Sequence, residues 1–268
     1  MPGFLTENEN LDFGLHPEQS LPSHGSRYWF RHFVDNQDSI RANVHYFNWP
    51  SGSLRKMLAE VMPLLSVLAG ASTIGTTIAS RILPWNMMSD HMLPLRRLKP
   101  LIQLWPKAVG YADQQSAKLV DQINEFNGTV YVVGHSLGGR IAVRLLERQH
   151  TIRTDQLCIS AMAPAIAESE TRIFPSNPHI KSEVFFSRSD LILNGFYRMG
   201  EVKAEHALGY IGPQSCYNNG FTSIDVTSNE FCKAMGHMDY EAHVLGLLRV
   251  HSAFWHGFVC SDRPEPGD

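Results

Sequence analysis

Charge is the first thing this chain is short of. Only 18% of its 268 residues are charged, and 23 basic against 26 acidic side chains leave a net −3. That balance gives no electrostatic case for nucleic acid, whose phosphates demand a basic face. Cysteine is scarce as well. Cys158, Cys216, Cys232 and Cys260 are widely spaced and form no C-x-x-C pair, which argues against zinc and against a disulfide scaffold in a chain this long. A Cys216–Cys232 bridge stays open, and reduced thiols in a cytosolic protein are the default expectation. Nucleotide-binding signatures are missing too: no G-x-G-x-x-G occurs, and no lysine follows the glycines as a phosphate loop requires. Met1 to Leu21 lacks the basic start and apolar core of a signal peptide. There is no internal repeat and no long low-complexity segment. The tail from Ser261 to Asp268 is polar and bears prolines, a composition that frays. Hydrophobic residues at 43% suffice for one large core or at most two modest ones.

Against these absences one run stands out, Thr129-Val130-Tyr131-Val132-Val133-Gly134-His135-Ser136-Leu137-Gly138-Gly139-Arg140. It reads as a strand, a tight turn and the start of a helix, with one serine at the apex. This is the G-x-S-x-G nucleophile elbow in the strand–turn–helix context that the motif requires. Glycines at 134 and 138 are needed because a serine held in so strained a turn leaves no room for β-carbons two residues either side. A glycine-rich turn in some other α/β protein is the plain alternative. The β-type run before the motif and the amphipathic Ile141 to Leu146 after it favour the elbow.

Further segments read as buried or half-buried strands: Ala42 to Asn48, Gln156 to Ser160, Glu183 to Ser187 and Ser223 to Val226. Helical periodicity is clearest at Lys107 to Phe126, Leu137 to Gln149 and Glu241 to Trp255. Strands separated by long crossovers predict an α/β fold, with a mostly parallel sheet covered by helices on both faces. The expected organisation is a single domain over 1–268, interrupted at 53–106 by an apolar helical insertion before the elbow. Within that insertion Val61 to Ser80 carries no charge and is rich in Gly, Ala, Ser and Thr. Three readings stand open for it: a helical cover over the site, a buried core helix, or a membrane-inserted segment.

A serine hydroxyl becomes a nucleophile only when a base takes its proton and a third group orients that base. With this elbow the chain order is Ser, then Asp or Glu, then His. Among 13 histidines, His237 fits best, because it follows the last strand and precedes the last helix. His206 is the leading substitute. His243 and His251 fall in the final helix, and His135 points away from the reacting centre and does not act as base. Asp190, just past the strand that ends at Ser187, is the best acid; a turn aspartate satisfying backbone N–H groups is its plain alternative. Asp225 is the runner-up acid, and Asp239 lies too near His237 in sequence to orient it, so it is expected to shape the loop. The oxyanion needs two N–H donors. Leu137 supplies one, and the Gly3-Phe4-Leu5 turn offers the other from Phe4 or Leu5. No strand precedes that turn, so two readings stand open: the protein starts at an unusual point, or the chain lacks the first strands of the sheet; an unstructured N-terminus is the plain alternative.

With these segments in place the chain resembles an α/β-hydrolase. It is most similar to the poorly characterised hydrolase-like family that includes the transmembrane and coiled-coil domain proteins. The resemblance rests on an ordered set: Gly3-Phe4-Leu5-Thr6-Glu7, Tyr46-Phe47-Asn48-Trp49-Pro50-Ser51, the apolar small-residue segment, the Gly-x-Ser-Leu-Gly elbow at 134–138, Ser187-x-x-Asp190-x-x-Leu193, and Gly236-His237-x-x-Tyr240. It runs from about Gly3 to Tyr240 and implies serine-dependent hydrolysis of esters or related acyl groups near membranes. The expectation is therefore a serine esterase or lipase-like hydrolase with Ser136, Asp190 and His237 as triad, needing no metal and no organic cofactor. Trp85, Trp105 and nearby methionines suggest a greasy approach, hence lipid or acyl ester substrates. The expected location is cytoplasmic, with a membrane surface as a further partner. A membrane-associated binding or scaffolding protein with a silent hydrolase fold is the rival from another class, and an acyltransferase is a variant that the sequence does not separate from a hydrolase.

Overall fold

A computed structural model describes residues 12–17, 33, 35, 42–50, 99–171, 177–201, 205–214 and 221–255. The segment 61–80, the Phe4–Leu5 turn, Trp85, Cys216 and Cys260 lie outside the described residues. Two short strands, β1 (Gly14–Pro17) and β2 (His45–Asn48), pair antiparallel, with Leu15 opposite Phe47. A long helix α1 (Lys99–Ile123) follows, and then strand β3 (Thr129–His135) leads into helix α2 (Leu137–Leu145). Strands β4 (Gln156–Met162), β5 (Ile180–Phe186) and β6 (Phe221–Asp225) complete a four-stranded sheet. Two single-turn helices, α3 (Arg198–Glu201) and α4 (Leu208–Ile211), lie between β5 and β6, and α5 (Asp239–His251) closes the described chain.

All three pairings in the four-stranded sheet are parallel, in the order β3-β4-β5-β6. Each crossover therefore returns the chain to the same edge, so the loops after β3, β5 and β6 all emerge at the C-terminal end of the sheet. Strands β3 and β4 begin where the sequence places them, whereas β2 starts at His45, three residues later than expected, β5 at Ile180, three residues earlier, and β6 at Phe221, two residues earlier. The α/β class holds; β1 and β2 add an antiparallel pair apart from the parallel sheet.

Side-chain alternation along β3 assigns the two faces. A β-carbon on Gly134 would lie 2.3 Å from the Gly138 carbonyl oxygen, so that face looks at α2. His135 and Tyr131 point the other way, their rings meeting Tyr240 of α5 and Trp255 beyond it. Helix α2 is sandwiched between the sheet and α1, and Leu137, Ile141, Ala142 and Leu145 are wholly buried. Each large aliphatic side chain so removed from water contributes about 2 kcal/mol.

Helix α1 begins eight residues before the Lys107 start suggested by periodicity, and it carries Pro106 inside. Proline in a helix interior costs about 3 kcal/mol, which is why it reads as a boundary. Here Trp105, Ala108 and Ala112 around it are buried against neighbouring elements, and that packing keeps the helix continuous. Among the described residues no helix is long and apolar enough to cross a membrane.

Candidate active site

The turn after β3 has the geometry that the sequence demands of an elbow. Ser136 sits at φ 56°, ψ −118°, in a region that L-residues with side chains rarely occupy. Its backbone is pinned on both sides. The N–H of Ser136 donates to the Met162 carbonyl (3.0 Å), while the Ser136 carbonyl accepts from Arg140 N–H (3.0 Å) and Ala165 N–H (3.1 Å). The hydroxyl makes no hydrogen bond that would cap α2. Gly139, which the motif reading passes over, is also closely packed, though less so than Gly134, for a β-carbon there would lie 3.0 Å from Pro164 Cα. Ala163, just past β4, is the other non-glycine residue at positive φ (44°) among those described. The strained backbone at Ser136 is thus held by bonds to β4, to the segment after it and to α2.

Leu137 opens α2 and is completely buried. As the first residue of a helix, its N–H has no carbonyl four residues back within that helix, so it is oriented outward with the positive end of the helix behind it. Phe4 and Leu5, the expected second donors, lie outside the described residues.

Asp190 lies beyond the end of β5, where Ser187-Arg188-Ser189-Asp190 forms a turn closed by Asp190 N–H on the Ser187 carbonyl (3.1 Å). Its carboxylate is fully buried and divides its two oxygens between two tasks. Oδ1 accepts the Leu193 N–H (2.9 Å), and Oδ2 meets His237 Nδ1 at 2.6 Å. One oxygen thus satisfies a backbone N–H of the turn, as a turn aspartate would, and the other meets the imidazole. Because a carboxylate only accepts, Nδ1 of His237 carries the proton and Nε2 is left with its lone pair.

His237 belongs to a loop between β6 and α5 that is fixed at several points. Met235 N–H donates to the Thr227 carbonyl (3.0 Å), and the Ser187 hydroxyl donates to the Met235 carbonyl (2.5 Å). Asp239 accepts the Gly236 N–H at 2.7 Å, closing the loop on itself. Ser136, Asp190 and His237 are 4%, 0% and 8% exposed, a dry environment in which electrostatic interactions are strong.

The competing residues fall elsewhere. His243 and His251 lie on α5, the latter beside Glu230 at 3.5 Å. His206 packs at a tilt against Tyr210, next to the bridge between Ala167 and Ala207. Asp225 ends β6 and binds the Thr227 backbone N–H (2.9 Å) and hydroxyl. Trp105 is buried against Tyr197, donating its indole N–H to Glu201 (3.0 Å). Cys158 and Cys232 are free thiols, and burial pushes the Cys158 thiol up to about 11, so it stays protonated and inert. Among the described residues no cluster of His, Cys, Asp and Glu is arranged to hold a metal ion.

Two features escape the sequence reading. One is an ion cluster on α2, where Arg140, 2% exposed, binds Asp113 through Nε (2.7 Å) and Nη2 (2.9 Å) and Glu170 through Nη2 (2.6 Å). Arg144 joins from one turn on, reaching Asp113 (3.1 Å), the Glu170 carbonyl (2.8 Å) and Glu147. Burial alone would raise the Asp113 carboxyl, but hydrogen bonds and charge from Arg140 and Arg144 hold it below its ordinary value. The signal was an i, i+4 pair of arginines in an otherwise apolar helix. The other feature is Tyr240, whose ring is buried beside His135 and whose hydroxyl has no partner among the described residues. Burial and the charges of Asp190 and Asp225 push its pKa well above the ordinary phenol.

No protein-family model, curated protein or solved structure matches this chain. The functional reading is therefore carried by the site itself.

Proposed function

We propose that this chain is a serine hydrolase of the α/β-hydrolase type, cleaving carboxylic esters through an acyl-enzyme. The observation that carries this reading is a strained serine at a β-strand–helix elbow, followed in chain order by a buried carboxylate–imidazole pair at the same edge of the sheet. In this reading Ser136 Oγ attacks the ester carbonyl while His237 Nε2 takes its proton. The C–Oγ bond forms, the carbonyl oxygen becomes an oxyanion at the Leu137 N–H, and the Phe4 or Leu5 N–H is the second donor. Collapse breaks the bond to the alcohol, which leaves with the proton from His237. Water then attacks the acyl carbon with His237 again as base, releasing the acid and restoring Ser136. Asp190 keeps the imidazole in the Nδ1–H tautomer and stabilises the imidazolium that forms.

Apolar acyl groups are the favoured substrate class. Leu191 and Met238 directly follow the acid and the base, and both are large apolar side chains left about half exposed, at 48% and 45%. An apolar surface around a few convergent polar groups suits a hydrocarbon chain better than a sugar or a peptide.

The test is covalent labelling with a fluorophosphonate probe, run beside ester hydrolysis. The parent protein should label and should cleave medium-chain esters faster than acetyl esters. Ser136→Ala should do neither, losing activity by about 10⁴-fold or more while keeping its fold. Full activity in the alanine variant would sink the mechanism, and a preference for acetyl esters would sink the substrate class. A folded parent that neither labels nor hydrolyses any ester would favour the non-catalytic, membrane-associated reading instead.

A further inference from the structure

His135 occupies the variable position of the elbow, one residue from Ser136, and has no part in the reaction steps above. Its side chain takes the face of the sheet away from α2, where its ring lies 4.6 Å from the ring of His237 and 5.7 Å from that of Tyr240. Its Nε2 lies 3.0 Å from the backbone carbonyl oxygen of His237. A carbonyl can only accept, so Nε2 must carry the proton and donate it. Desolvation, with the neighbouring His237 adding to it, drives the His135 pKa well below the ordinary imidazole range, so the ring is neutral at pH 7. The two histidines thus adopt opposite tautomers: His237 bears its proton on Nδ1, facing Asp190, and His135 bears its proton on Nε2, facing His237.

We propose that His135 is a positioning residue, whose Nε2–H fastens the main chain of His237 to the strand that carries Ser136. The inference rests on the reading of Ser136 and His237 as nucleophile and base. Asp190 controls only the rotation of the His237 ring, and a ring correctly rotated on a loop that drifts still misses its target. The bonds at Met235 and Gly236 tie the loop to β5, to the segment after β6 and to itself. The bond from His135 ties it to the nucleophile's own strand, so the separation between Ser136 and His237 is set within a few covalent bonds of the reacting oxygen. A misplacement of about 1 Å at such a distance lowers turnover by as much as about 100-fold.

Two variants and one spectrum test this. His135→Phe keeps a ring beside Tyr240 and removes the donor; His135→Gln places an amide N–H where Nε2 was. For an ester cleaved by the parent, His135→Phe should lower kcat by about 10- to 100-fold with KM within about twofold. His135→Gln should recover most of that loss, which a purely packing role for the ring would not allow. Turnover of His135→Phe within twofold of the parent, or equal impairment of both variants, would overturn the proposal. The imidazole ¹⁵N shifts of the parent at pH 7 give a readout that needs no variant to fold: they should report a neutral Nε2–H ring at His135. A charged ring or an Nδ1–H tautomer there would equally overturn it. Failure of the parent to label with a fluorophosphonate would instead remove the catalytic reading, leaving the tautomer result to judge the bond itself.

Discussion

Asp190, fully buried, and Asp113, partly exposed, are both carboxylates that meet a basic side chain at less than 3 Å. Asp113 faces two guanidiniums, which are charged at every pH the protein will meet and are held by Glu170 and the Glu170 and Ala165 carbonyls as well. Both Asp113 and Glu170 in that cluster are paired with guanidiniums, which keep their charge, so the cluster fastens α1 to α2. Asp190 faces a single imidazole, whose second ring nitrogen can accept a proton, as no guanidinium nitrogen can. Its other oxygen is occupied by a backbone N–H, which fixes its position without adding charge. Two buried acid–base clusters made of similar parts therefore differ in one respect that decides their chemistry, namely whether the partner's proton is exchangeable.

The sharpest way to break that comparison is to spoil the exchangeable side. Asp190→Asn keeps an oxygen for the Leu193 N–H but can no longer fix the His237 tautomer. It should lower kcat by about 10³- to 10⁴-fold, with thermal stability close to that of the parent; a loss below tenfold would show that the pair is not catalytic. The opposite result is expected of Arg140→Met. Removing one member of a buried ionic cluster leaves carboxylates unmatched and should cost about 3–5 kcal/mol, read as a fall in Tm, while Ser136 in the folded fraction still labels. Labelling lost without a change in Tm would reverse the assignment of the two clusters.

Acidification sharpens the contrast more gently. His135 and His45 both have pKa values lowered by burial. Above about pH 6.5 each is neutral in the folded and unfolded chain alike and adds no pH dependence. Below that value the unfolded chain binds protons that the folded chain refuses, so stability falls as pH falls, by up to about 1.4 kcal/mol per unit for His135. Asp113, with its pKa lowered, holds its contribution until the pH drops below its ordinary carboxyl value near 3.8. Urea titrations at pH 7.5 and 5 should show the first loss and not the second, and His135→Gln should reduce the slope; a flat profile would contradict the neutral assignment. The smallest effect is expected at Tyr240, where Tyr240→Phe removes a buried hydroxyl without a partner among the described residues. It should be neutral or stabilising by about 1 kcal/mol, and a loss of stability would mean that the hydroxyl is bonded.

The strand–elbow–helix unit was legible because local sterics write it into the sequence. Gly134 meets the Gly138 carbonyl within the turn itself, so a motif a dozen residues long contains its own reasons. The crossovers were legible from periodicity, and helix α1 was misjudged at its start because a single proline outweighed packing that the sequence does not display. The close packing of Gly139 was invisible, since the atom nearest an added β-carbon belongs to Pro164, in the loop after β4. Arg140 and Arg144 could be seen as odd residues in an apolar helix, but their partners Asp113 and Glu170 come from segments on either side of it.

By itself, then, the sequence determined the α/β class of fold and the identity of the strained serine, because each depends on residue type and on neighbours a few positions away. The tertiary structure decided the rest. It selected His237 to meet Asp190, divided that carboxylate between a backbone N–H and an imidazole, and turned His135 toward the carbonyl of His237. Those outcomes depend on which loops converge at the C-terminal end of a parallel sheet. Hydrogen bonds with a reach of about 3 Å form only after burial of the core has brought residues 47 and 102 positions apart to the same place.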